Sequence, residues 1–317
     1  MKGVYDKTFW GLTIGLVAVL LLNLFLADWL RGIGLQSLSR GMVALGLLVL
    51  WRTGLVSFGH ALFFGFGAYT AALLQRVGIN DFFVLLLAGT ASAGLLAYGL
   101  GFLLRRYRAI YFALLNMAFS MILWGVIAKL EVLGSTDGIG VRPPSYLGFA
   151  FEGETNQMIL FAFTAIFTYL VALATHLYLR STLGHLTMAV RENEIRVEYL
   201  GYSVERAIHL KYIISGLVAG FGGVVMAFAV GHVDPDSMAY WPVSGDFVFI
   251  TILSGSGNVA APIIGAVVYE MIRSYAFEYF PHVWQLIMGG SLLLIIMFLP
   301  DGLWSLLERT RRKKSVG

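Results

Sequence analysis

Long apolar runs alternate with short polar or charged connections along the whole chain. Ten apolar segments can be marked, at about 9–28, 35–51, 54–75, 82–104, 109–130, 156–179, 208–231, 236–255, 259–279 and 283–300. A helix needs about 20 mostly apolar residues to cross the roughly 30 Å hydrocarbon core of a bilayer. The runs are continuous, whereas the strands of a transmembrane barrel alternate apolar and polar residues. The pattern predicts an all-α integral membrane protein, a polytopic bundle of about 8–10 transmembrane segments.

Some of these segments are expected to be short or broken. The second, third and eighth are short or rich in glycine, so any of them is a candidate for a broken or re-entrant helix. Glycine also lets neighbouring helices approach closely in lipid. For that reason the glycines of the seventh segment, Gly216, Gly220, Gly222 and Gly223, are interpreted as a close-packing helix face.

Basic residues predict the orientation of the bundle, because loops on the cytoplasmic side carry an excess of Lys and Arg. With ten spans and both termini in the cytoplasm, the basic residues divide 16 inside to 6 outside. The inner set is Lys2, Lys7, Arg52, Arg105, Arg106, Arg108, Arg180, Arg191, Arg196, Arg206, Lys211, Arg309, Arg311, Arg312, Lys313 and Lys314. The outer set is Arg31, Arg40, Arg76, Lys129, Arg142 and Arg273.

Composition excludes several classes of function. Charged residues make up 13% of the chain, against about 25% in soluble domains, and the basic residues form no stripe suited to nucleic acid. There is no cysteine, which excludes disulfides and thiolate chemistry. The chain carries no P-loop, no zinc-binding helix pattern and no nucleophile elbow. Residues 1–317 therefore predict one membrane domain that is not an enzyme, with no catalytic residues and no metal site.

Polar groups inside the apolar runs are candidates for a solute path. His60 and Asn116 either line such a path or hydrogen-bond a neighbouring helix, and the residues alone leave both open. The outer loop at about 131–155 contains Thr136 and Asp137, and it is a gate, a docking surface or an ordinary connection. The Ser254–Asn258 interruption is either a tight turn or a cavity-lining break. Glu270 and Arg273 are three residues apart and could pair along one helix face, or either of them could face a cavity.

The inner loop at about 180–207 predicts a short amphipathic helix. Ile195, Tyr199 and Leu200 fall at helical spacing with charges between them, and Gly201 is a candidate helix stop. Such a helix either lies on the lipid surface or inserts into a groove of a soluble partner.

Several stretches, in this order and spacing, resemble the branched-chain amino acid permease family of ABC importers. They are Gly54–Tyr69, Thr136–Gly140, Arg191–Ile195 ending at Gly201, Pro235 with Ser237, Gly255–Asn258 and Leu299–Leu303. The resemblance implies import of branched-chain amino acids or a similar small polar solute by alternating access, in the bacterial inner membrane. It implies a coupling loop at 180–207 that docks ATP-binding subunits through Arg191, Glu192, Asn193, Glu194 and Gly201. It also implies a substrate path that includes His60, Phe64, Tyr69, Asn116, Thr136, Asp137, Gly255 and Gly257.

The resemblance further implies which partners the chain has. They are a sister permease subunit, two cytoplasmic ATP-binding subunits and an extracytoplasmic solute-binding protein, with ATP bound by the partners and no cofactor in this chain. The sequence departs from the family pattern at Val197–Tyr199, where alanine is usual, and at Arg108-Ala109, where Arg-Gly is usual. The alternative is a stand-alone channel or ion-coupled carrier for a small amide such as urea, which leaves the coupling-like helix unexplained.

Overall fold

A computed structural model of the chain describes residues 6–306, and within them the fold is almost entirely helical. The α-helices are α1 (Lys7–Asn23), α2 (Asp28–Trp51), α3 (His60–Arg76), α4 (Phe82–Leu104), α5 (Ala109–Lys129), α6 (Gly153–Arg180), α7 (Thr182–Glu192), α8 (Glu194–Tyr199), α9 (Val204–Val230), α10 (Pro235–Met238), α11 (Trp241–Ser254), α12 (Ala261–Tyr279) and α13 (Trp284–Phe298). A 3₁₀ turn covers Glu131–Leu133. Strands β1 (Ile139–Gly140) and β2 (His232–Val233) form one antiparallel pair.

The predicted helical membrane bundle is confirmed. In residues 6–306, ten helices have 14 or more residues, and each overlaps one predicted apolar segment. Five of them, α2, α4, α5, α6 and α9, are long and apolar enough to cross a membrane. The second segment is an unbroken 24-residue helix that begins at Asp28 rather than near residue 35.

Two of the predicted breaks are present. The stretch from Gly54 to Gly59 is not helical, although Leu55 and Ser57 are buried, and α3 begins only at His60. The eighth segment is divided into α10 and α11. Buried non-helical backbone is tolerated where protein surrounds it, and in the first turn of α3 the Ala61 N–H donates to the Ser244 hydroxyl at 2.8 Å.

Helix α9 lies at the centre of the bundle and packs against α2, α3 and α4. Its glycines permit this, as predicted. A side chain at Gly223 would overlap the Phe64 carbonyl of α3, one at Gly222 would meet Ser39 of α2, and one at Gly216 would meet α4. Close backbone approach of this kind is how helices pack in lipid.

The two ends of the bundle differ in charge. One end, here the basic end, carries Arg52, the Arg105–Arg108 stretch, α7 and α8. The opposite end, here the hairpin end, carries the β1–β2 pair. The orientation count needs correction, because Arg40 and Arg273 lie within α2 and α12 rather than in outer loops, and Lys211 is buried within α9 rather than in the inner loop. Lys2 and Arg309–Lys314 lie outside the described residues.

Candidate functional site

A buried polar cluster surrounds His60 where α3 begins. The His60 ring lies with Nδ1 at 3.0 Å from the Ser57 hydroxyl and Nε2 at 2.6 Å from the Ser215 hydroxyl of α9. All three side chains are fully buried. Burying a polar group without a partner costs about 1–3 kcal/mol, and here both ring nitrogens have one. His60 therefore joins the broken start of α3 to the central helix.

Asn116 of α5 lies in the same buried layer. Its amide nitrogen donates to the Phe112 carbonyl at 2.7 Å, and its amide oxygen accepts from the Tyr212 hydroxyl at 2.5 Å. Gly59 packs directly against the Asn116 backbone, so that a side chain at position 59 would overlap it. The interior of α5 is thereby in contact with the segment that leads to His60.

Phe64 and Tyr69 continue along α3, and both are buried. Phe64 packs against Phe247 of α11 with ring centroids 5.1 Å apart. Tyr69 lies beyond it, toward the hairpin end. The structure thus brings four of the predicted path residues, His60, Phe64, Tyr69 and Asn116, together on or beside α3.

The other predicted path residues lie at opposite ends of the bundle. Thr136 and Asp137 are exposed in the loop at the hairpin end, just before β1. Gly255 and Gly257 lie at the basic end, where the Arg52 guanidinium donates to the Ser256 and Gly257 carbonyls at 3.1 and 3.4 Å. The structure therefore does not bring these two pairs together.

A cavity at the basic end joins two groups of residues that the sequence assigned to different roles. Its volume is about 480 Å³, and it is lined by Arg52, Met188, Arg191, Glu192, Ser256 and Gly257. The Gly255–Asn258 turn and the end of α7 therefore face each other across one polar space. Gly255 itself is buried with φ +80° against the Asp301 backbone, which is a conformation that favours glycine.

The predicted coupling segment forms two short helices at the basic end. Asn193 separates α7 from α8, and its side chain accepts from the Arg196 N–H at 3.0 Å, so it caps α8. Glu194 accepts from the Arg108 guanidinium at 2.7 Å. Arg191 and Glu192 are exposed at the end of α7, and Gly201 with φ +84° follows the end of α8.

This segment presents an apolar surface outward. Val190 and Val197 are buried and anchor it to the bundle, whereas Ile195 is 64% exposed, Leu200 74% and Tyr199 88%. The sequence pattern placed the last three on one apolar face. The structure turns that face away from the bundle.

Charged residues in the middle of the bundle were missed as a site. Arg40 of α2 and Glu270 of α12 are buried and form an ion pair. The predicted partner of Glu270, Arg273, instead lies over the Trp284 ring at 5.8 Å. An arginine inside an otherwise apolar segment was the available signal. Because Arg40 was assigned to an outer loop, its position inside a helix was not recognised.

The fold and these sites define a multi-pass membrane transport protein of the permease type. A family model described as "Branched-chain amino acid transport system / permease component" matches residues 30–297, and the chain belongs to that family. The high-affinity branched-chain amino acid permease protein LivM of Salmonella typhimurium is 31% identical over 86% of this chain and 69% of its own length. The LivH protein of the same organism is 24% identical over 88% and 95%.

Similarity also extends to an archaeal relative. The probable LivH permease of Methanocaldococcus jannaschii is 26% identical over 81% of this chain and 84% of its own length. No solved structure matches the chain.

Proposed function

We propose that this chain is a membrane-spanning subunit of an ATP-driven importer whose solutes are branched-chain amino acids. The observation that carries the proposal is the exposed apolar face of α8 at the basic end, in a chain of the permease family. Exposed Tyr and Leu side chains on a short helix suit insertion into a groove of a soluble protein. The relatives named LivM and LivH are described as branched-chain amino acid permeases, and this supports the choice of solute.

The proposed partners follow from this arrangement. Two cytoplasmic subunits bind and hydrolyse ATP, and one of them accepts α8. A sister permease subunit completes the pore, and a solute-binding protein delivers the amino acid at the hairpin end. The basic end then faces the cytoplasm of a bacterial inner membrane, in agreement with the positive-inside rule. The chain needs no cofactor of its own.

Alternating access supplies the mechanism. Closure of the ATP-binding subunits displaces α8, and the Arg108–Glu194 bond carries the displacement to α5. Asn116 of α5 packs on Gly59, next to the start of α3. A shift of α5 therefore displaces the residues around His60. A permease that switches between two packed conformations needs a continuous chain of contacts between its moving helices.

Copurification tests the docking surface. A tagged chain is expressed with its genomic neighbours, as wild type and as a Tyr199→Ser, Leu200→Ser double variant. The wild type is expected to retain the ATP-binding subunits and show ATPase activity in lipid, and the variant to lose most of both, because a few residues, tyrosine prominent among them, carry most of the binding energy of an interface.

A matched control replaces exposed apolar residues at the hairpin end, as Val132→Ser with Phe149→Ser. This control should retain the subunits. A chain that purifies alone and transports leucine without ATP would show that the importer proposal is wrong.

A further inference from the structure

Two neighbouring cavities occupy the region where α2, α12 and the broken α10–α11 segment meet. Their volumes are about 380 and 340 Å³, and both are lined by Arg40, Ser237 and Arg273. Glu270 lines the larger cavity, and Asp236 and Asp246 line the smaller one. Positive and negative groups therefore face one composite polar space inside the bundle.

This space runs from the middle of the bundle to the hairpin end, where Ser237 of α10 and Trp284 at the start of α13 line it. Arg40 is 12 residues from the start of α2, and Glu270 is nine residues from each end of α12. At a rise of about 1.5 Å per residue, these groups lie roughly 14–18 Å from the helix ends. Interrupted helices line substrate sites in membrane transporters, and α10, which precedes the α10–α11 break, contributes Ser237 here.

The charges in this space are unequally paired. Arg40 and Glu270 neutralise each other. Within residues 6–306, Arg273 and Asp246 have no oppositely charged side chain within 4.0 Å, although Arg273 lies over the Trp284 ring and Asp246 lies beside the Tyr269 hydroxyl. Arg273 is six residues from the end of α12 and Asp246 is five residues from the start of α11, so each charge costs less than the roughly 2.5–3.5 kcal/mol that insertion scales give at the centre of a membrane helix. Ionisable groups kept within membrane segments mark substrate or ion pathways.

We propose that the two cavities form a binding site for a zwitterionic amino acid, in which Arg273 binds the α-carboxylate and Asp246 binds the α-ammonium group. The guanidinium fork matches a carboxylate in a bidentate geometry. Phe249 and Met288 also line the smaller cavity and supply an apolar surface for a branched side chain. The choice of an amino acid as ligand rests on the function proposed above.

Cysteine protection tests the site directly, because the chain has no cysteine. Gly289 lines the smaller cavity, and a Cβ built there meets no atom within 4 Å. In membranes containing the Gly289→Cys variant, leucine should slow modification by a small water-soluble methanethiosulfonate. At about ten times its Kd the slowing should be about tenfold, because only about a tenth of the sites stay empty.

Two positions serve as matched controls for labelling. Gly290 also has open space for a side chain but is not among the cavity-lining residues. Thr155 is exposed at the start of α6. Leucine should leave the labelling rates of the Gly290→Cys and Thr155→Cys variants unchanged.

Analogues that lack one charge test the zwitterion assignment without any further substitution. The probes are 4-methylpentanoate, which lacks the ammonium group, and 3-methylbutylamine, which lacks the carboxylate. Both should protect the Gly289→Cys variant much less than leucine does. Adding Arg273→Gln or Asp246→Asn should abolish protection by leucine, whereas the exposed control changes Arg142→Gln and Glu152→Gln should preserve it.

The outcomes separate this site from the importer proposal. Protection is measured without ATP, and leucine uptake is measured in vesicles of the complete transporter with ATP. ATP-driven uptake without protection, or equal protection by both analogues, overturns the site. Protection without ATP-driven uptake retains the site and overturns the importer function.

Discussion

Ala109 begins α5 with a backbone φ of +49°, in the left-handed region that favours glycine. The sequence had marked this position as a departure from a family pattern in which Arg-Gly is usual. The left-handed conformation costs an alanine about 1–2 kcal/mol, and its geometry explains why glycine suits the position. The side chain of the preceding residue, Arg108, bonds Glu194, and this contact helps to hold the turn in place.

The Ala109→Gly variant is therefore expected to be more stable than the wild type. The gain is about 0.5–1 kcal/mol, because relief of the left-handed alanine exceeds the added chain entropy of glycine, itself about 0.5–1 kcal/mol. Thermal unfolding in detergent measures the change. The control is Ala113→Gly, inside the same helix, which should lower stability by about 1 kcal/mol or more. Equal losses in both variants would contradict the interpretation.

At the same scale, the sequence identified some site residues and missed others for physical reasons. His60 and Asn116 were recognisable because a polar group in an apolar run is conspicuous. Their partners Ser215 and Tyr212 lie on another helix, and no local pattern reports such a contact. Arg40 was missed because the start of α2 was placed at about residue 35, so that a mid-helix charge was counted near a loop.

Among the elements, α8 shows what helical periodicity reveals and what it leaves open. The spacing of Ile195, Tyr199 and Leu200 predicted an apolar face but not whether the face meets lipid, the bundle or a partner. The structure turns it outward and anchors the opposite side through Val197. The break between α10 and α11 was foreseen only as a weak segment, because its position depends on packing against α3 and α5, where the Ser120 hydroxyl donates to the Ala239 carbonyl.

The Arg108–Glu194 ion pair is expected to matter for coupling rather than for folding. Both side chains are partly exposed, and such pairs contribute about 0–1 kcal/mol to stability. In the proposed importer, Glu194→Gln should leave assembly intact and reduce the leucine-dependent stimulation of ATPase activity by up to about fivefold, equivalent to about 1 kcal/mol. ATPase assays of the purified complex in lipid measure the ratio with and without leucine-loaded binding protein.

A charge exchange provides the control for this prediction. Arg108→Glu alone should reduce the stimulation as Glu194→Gln does, and Arg108→Glu combined with Glu194→Arg should restore much of it. If the double variant is no better than the single ones, the ion pair does not transmit the movement.

For the whole molecule, the charges at the two ends predict how the bundle sits in the membrane. With Arg40, Lys211 and Arg273 removed from the count because they lie inside helices, the basic end still holds most of the arginines near helix ends, including Arg52, Arg180 and the Arg105–Arg108 stretch. Short cytoplasmic loops retain such residues. The predicted docking surface of α8 lies at this same end. The positive-inside rule and the proposed function therefore both require the basic end to face the cytoplasm.

Single cysteines introduced into the cysteine-free chain test this orientation. Arg142 is exposed at the hairpin end and Arg196 is exposed in α8, with α6 between them. A membrane-impermeant maleimide should label the Arg142→Cys variant in intact cells and the Arg196→Cys variant only in inverted vesicles. The reagent cannot cross the membrane, so in each preparation it reaches only one end of the bundle. The unsubstituted chain should stay unlabelled in both preparations. The reverse result would place α8 outside the cell, where no ATP-binding subunit could dock, and would remove the importer proposal together with the positive-inside argument.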